Sequence, residues 1–136
     1  MRGHRKDSSY PKDWFKKANN DLKAAEILFC AGNLDTASFH IQQGIEKYLK
    51  GFLLGKGWRL KRTHDLVDLL NEAVHYESSF EKFRPFCIRV TECYIEDRYP
   101  FSVVSELNKE EVETALKETK EFVRFINGLT SERVSG

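Results

Sequence analysis

The stretch Ala37-Ser-Phe-His-Ile-Gln-Gln-Gly-Ile-Glu-Lys-Tyr-Leu-Lys-Gly-Phe52 decides the fold. Its apolar residues Ala37, Ile41, Ile45, Tyr48, Leu49 and Phe52 recur at steps of three and four, the spacing that gathers side chains on one face of an α-helix. Asn33 or Asp35 can cap the start of this helix, and Gly55 and Gly57 close its end.

The same period continues on both sides. Upstream, Pro11 suits a first helical turn, and Trp14, Ala18, Leu22, Ala25, Leu28 and Phe29 form a second stripe that Gly32 ends. Downstream, Thr63 is the expected cap of a shorter helix, with Asp65 near its positive end and Leu66, Leu69, Leu70 and Ala73 facing inward. Ser78 with Glu81 has the capping-box pattern before a fourth helix, and Pro85 marks either its true start or a break in its first turn. Pro100 blocks its extension. Asn108 with Glu111 repeats the pattern before a last helix through Val112, Leu116, Phe122, Val123 and Ile126, which Gly128 is expected to end. Short connections between amphipathic helices predict an all-α, up-and-down antiparallel bundle of about five helices. The expected organisation is a flexible basic tail over 1–9, a helical domain over 10–128 and a C-terminal tail over 129–136.

With 136 residues, 40% of them hydrophobic, the chain can bury one core and not two. A formal net charge of +1 excludes a basic field spread over the surface, so any nucleic-acid contact must be local. No run reaches the roughly 18 apolar residues of a membrane span and the N-terminus lacks an apolar signal segment, so a cytoplasmic protein without membrane contact is expected. Cys30, Cys87 and Cys93 contain no CxxC pair and are read as reduced core residues. Glu72-Ala-Val-His75 has the Glu-x-x-His spacing of carboxylate-bridged metal sites but no second copy, so neither a metal nor another cofactor is expected.

Three clusters stand at fixed places in this pattern: Gln42-Gln-Gly-Ile-Glu-Lys-Tyr-Leu-Lys50, Thr63-His-Asp-Leu66 and Arg98-Tyr-Pro100. Together with Trp14, Asp21-Leu22 and Ala25, their order over roughly residues 10 to 127 resembles the HEPN domain. The resemblance implies a helical bundle that commonly dimerises and is often encoded beside a minimal nucleotidyltransferase. Some members are metal-independent ribonuclease toxins; others lack the nuclease motif and are regarded as nucleotide-binding or partner subunits.

The ribonuclease members carry an Arg, four to six residues, then a His in the later half of the bundle. Such a pair supplies a proton-transfer group and a cation for the phosphate. This sequence has that spacing at Arg59-Leu-Lys-Arg-Thr-His64, ahead of the third helix, whereas the family position is nearer Arg98 and no histidine follows His75. The resemblance therefore implies a non-catalytic subunit that binds a nucleotide or RNA, a partner nucleotidyltransferase, or both, in a toxin–antitoxin-like pair. The alternative is a ribonuclease toxin using Arg59, His64 and Arg98. Tyr99 inherits no acceptor role, because the His that would precede it is missing.

The candidate contact residues are Gln43, Lys47, Lys50, Arg62, His64, Arg98 and Tyr99. Gln43, Glu46, Lys47 and Lys50 share a helical face, either presenting the lysines to phosphate or forming a solvated face with a Glu46–Lys50 helix pair. The loop holding Lys56, Arg59, Lys61 and Arg62 interleaves Trp58, which either stacks on a base or folds onto the core. His64, near a helix N-terminus, suits a neutral donor or acceptor. Arg98 either complements helix carbonyls or meets phosphate in the cleft.

Overall fold

The computed structural model describes residues 10–59, 63, 65–98 and 108–135, without the side chains of 93–98 and 131–135. Five α-helices and one 3₁₀ helix fill these residues, which include no strand: α1 (Pro11–Cys30), α2 (Leu34–Gly55), α3 (Leu66–Tyr76), a 3₁₀ helix (Ser78–Phe83), α4 (Arg84–Arg98) and α5 (Lys109–Ser135). None of the described helices is long and apolar enough to cross a membrane.

Local chemistry explains most boundaries. Two helices end in the same way. Gly32 at φ 80° and Gly57 at φ 90° occupy the left-handed conformation that costs an L side chain energy. Around them Asn33 N–H donates to Leu28 O at 2.8 Å and Gly32 N–H to Phe29 O at 3.0 Å, while Trp58 and Gly57 donate likewise to Leu53 and Leu54. These are Schellman ends, which satisfy carbonyls the helix leaves over. α5 begins with a reciprocal capping box: Glu111 N–H donates to Asn108 Oδ1 at 2.8 Å, and Asn108 N–H to Glu111 Oε1 at 3.3 Å.

Three expectations are corrected and one open alternative is decided. The cap of α3 is Asp65, which accepts from Val67 and Asp68 N–H, while Thr63 accepts from Asp65 N–H. One carboxylate there satisfies two orphan amides. Ser78 caps no α-helix; it opens the 3₁₀ turn, and Glu81 is held by Arg84 instead. Pro85 sits in the first turn of α4, which settles it as a helix start. Gly128 does not end α5, which runs on to Ser135, so 129–135 are helical. The expected tail over 1–9 and the block by Pro100 lie outside the described residues.

α2 is the central element, packed against the other four α-helices. Ile41, Ile45, Leu49 and Leu53 are buried with Leu66, Leu69 and Leu70 of α3 and with Phe122 and Ile126 of α5. Phe80, Phe83, Phe122 and Phe125 meet tilted or edge to face at 4.9–6.2 Å between ring centres, a geometry that adds to their area burial. α1 lies closest to α2, where Gly44 and Gly51 leave room for Leu22 and Phe15: a Cβ on either glycine would stand 2.5 or 2.7 Å from those side chains.

Candidate functional site

Helix packing divides the polar face of α2 into two ion-paired groups. On the α1 side, Asp21 is a shared acceptor: its Oδ1 lies 2.9 Å from His40 Nδ1 and its Oδ2 2.5 Å from Lys47 Nζ. A carboxylate only accepts, so His40 Nδ1 carries the proton and donates. Deeper in, Lys50 Nζ lies 2.9 Å from Glu46 Oε2, with both side chains under 5% exposed, and 5.4 Å from the Trp14 ring centre. The Glu46–Lys50 helix pair therefore exists, but as a buried pair rather than on a solvated face. Gln43, half-buried, donates from Nε2 to Gln42 Oε1 at 2.9 Å. Ser38, Gln42, Glu46 and Lys50, one turn apart, make a buried polar seam along α2.

Tyr48 lies apart from that seam, between α1 and α2, with its ring 5.4 Å from that of Phe15 between centres. Burial raises its phenol above the usual range, and the hydrogen bond its hydroxyl donates to Asn19 opposes that shift.

The loop after α2 resolves the question about Trp58. The indole is 7% exposed and belongs to the core, so its faces are not open to a base. Among the described residues its buried N–H has no hydrogen-bond partner. The ring also lines a cavity of about 520 Å³ with Asp68, Asn71, Glu72 and His75. Lys56 lies over the Phe52 ring at 5.5 Å, and Arg59 is exposed. Arg62, His64 and Tyr99 lie outside the described residues, as does the Arg98 side chain; the Arg98 backbone ends α4.

Among the described residues no three His, Cys, Asp or Glu side chains converge to hold a metal ion. Cys87 is buried, and burial pushes its thiol up to about 12, opposed in part by the Arg84 charge. Cys30 departs from the core assignment: as the last residue of α1 it is exposed.

Sequence reasoning passed over a cleft between α4 and α5. It measures about 520 Å³, is floored by Ile41 and Phe86 and rimmed by Arg89, Glu92, Glu110 and Glu118. Arg89 donates to Glu118 across its mouth. Glu111 and Glu118, two turns apart, hint at an acidic face of α5, but no pattern in the chain says that α4 stands opposite it.

The model of the HEPN domain matches residues 11–129. The chain belongs to the HEPN family. It is also similar to the protein named "Putative toxin MJ1304" of Methanocaldococcus jannaschii, with 25% identity over 139 aligned positions that cover 91% of this chain and 90% of that protein. No solved structure matches it. Within this HEPN chain, Trp14, Asp21, Glu46, Lys47 and Lys50, all in segments that carry the resemblance, prove to be joined through α1 and α2.

Proposed function

We propose that this chain is the HEPN subunit of a toxin–antitoxin-like pair and that it acts by binding RNA or a nucleotide rather than through the family's nuclease motif. The similarity to a protein named as a toxin supports the first part. One observation carries the second: across the matched span no histidine follows His75, so α4 and α5 have no Arg–His pair for proton transfer. A minimal nucleotidyltransferase is the proposed partner and a homodimer the proposed assembly.

The ion pairs of α2 shape the choice of contact residues. Lys47 is engaged by Asp21 and Lys50 is buried with Glu46, so both hold the bundle together in this reading. Phosphate contacts then fall to Arg59, which is exposed, and to Arg62, His64 and Arg98, with Gln43 and Tyr99 at the margin. Guanidinium groups suit this task because they bind phosphate oxygens in bidentate fashion.

The test is a low-salt titration of labelled single-stranded RNA and of nucleotides against the purified chain. Binding should weaken in Arg59→Ala and Arg98→Ala and decline with added salt. Absence of binding to every ligand at low salt would refute the proposal.

A further inference from the structure

From the shape and charge of the α4–α5 cleft, we infer that it is a docking groove for a basic segment of a protein partner. The inference rests on the proposed function in one respect: the partner is the other member of the pair. Among the described residues, Glu92, Glu110, Glu111 and Glu118 line the cleft against one guanidinium, Arg89. That is a formal charge of −3 on one cavity of a chain whose total is +1.

The floor decides which kind of cation fits. Ile41, Phe86, Val90 and Val112 form it, each 5% exposed or less, so the cleft is apolar at depth while its rim is acidic. Lys and Arg match this layering, since their methylene stems lie on apolar surface and their charged heads stay near water. A stem laid over Phe86 and Val90 brings its head to the level of the carboxylates. RNA does not fit, because its phosphates would meet a like-charged rim.

Fluorescence anisotropy with two probes tests the inference. One is a labelled amphipathic helical peptide of lysine and leucine; the other is the same peptide with every lysine acetylated, which keeps the length and removes the charge. The lysine peptide should bind at low salt and the acetylated one should not. Its affinity should fall at least about ten-fold in Glu92→Lys/Glu110→Lys and stay within about two-fold in Glu26→Lys/Glu113→Lys, which changes net charge equally outside the cleft. Equal loss in the two double variants, or equal binding of the two peptides, would overturn the docking groove. So would a change of oligomeric mass in the cleft variant, because a second copy of the chain would then be the occupant. RNA titrated in parallel separates the two proposals: RNA that never binds the unaltered chain sinks the binding function, whereas the groove stands or falls on the peptides.

Discussion

Replacing Lys50 separates a structural lysine from a ligand-binding one. Its ammonium sits 2.9 Å from Glu46 with both side chains almost wholly buried. Lys50→Ala removes this ammonium, leaves the carboxylate buried beside Trp14 and empties the volume of the stem. Breaking a buried pair in this way costs about 3–5 kcal/mol. For a chain of this size each kcal/mol is worth about 3–4 °C, so the melting temperature should drop by about 10–20 °C. The partner variant Lys50→Met/Glu46→Leu removes both charges and fills the space, and should recover most of the loss, because a well-packed apolar pair is often as stable as a buried ionic one. Urea unfolding of the parent, Lys50→Met, Glu46→Leu and the double variant closes the cycle. A Lys50→Ala variant within about 1 kcal/mol of the parent would refute the reasoning, as would a double variant no better than Lys50→Ala.

Other expectations follow from individual boundaries. Gly128→Ala should stabilise by about 1 kcal/mol in urea unfolding, because Gly128 is inside α5 with nothing within 4 Å of an added Cβ; destabilisation would mean that the helix ends there. Asp65→Ala should cost about 1 kcal/mol by the same assay and Thr63→Ala less, since Asp65 accepts the two amides that start α3. Peptide mapping after alkylation of the native protein at pH 8 should find Cys30 modified and Cys87 protected until the chain unfolds. The raised folded pKa of Cys87 also sets a sign: its stabilisation is complete below the unfolded thiol's value, about 8.5, and is lost as pH climbs toward about 12. The urea midpoint should fall between pH 8 and pH 10.5, and fall less in Cys87→Ala.

Periodicity in α2 and the glycines after α1 and α2 made the bundle legible, because these features act within a few residues of themselves. The Asn108–Glu111 box was legible for the same reason. Boundaries failed where two local groups competed: Thr63 and Asp65 both offer a cap, and the carboxylate that accepts two amides took it. Gly128 was misread because a helix already committed on both sides absorbs one glycine at a cost of about 1 kcal/mol.

The site was less legible, since its decisive contacts join residues far apart in the chain. Asp21 stands 26 positions from Lys47, and nothing in the α2 pattern says that a carboxylate of α1 claims that ammonium. Lys50 reads as exposed from its own helix alone; its burial follows from the packing around α2, with Trp14 of α1 beside its ammonium. The α4–α5 cleft escaped notice because it depends on the placement of two helices separated by a connection outside the described residues.

The central claim is binding without the family's cleavage chemistry. Its most direct test is a labelled single-stranded RNA incubated with excess purified chain in EDTA, then divided between a native and a denaturing gel. The account predicts a shifted band on the first and full-length RNA on the second. Shortened RNA on the denaturing gel, with full length restored by His64→Ala, would contradict it and make the chain a ribonuclease.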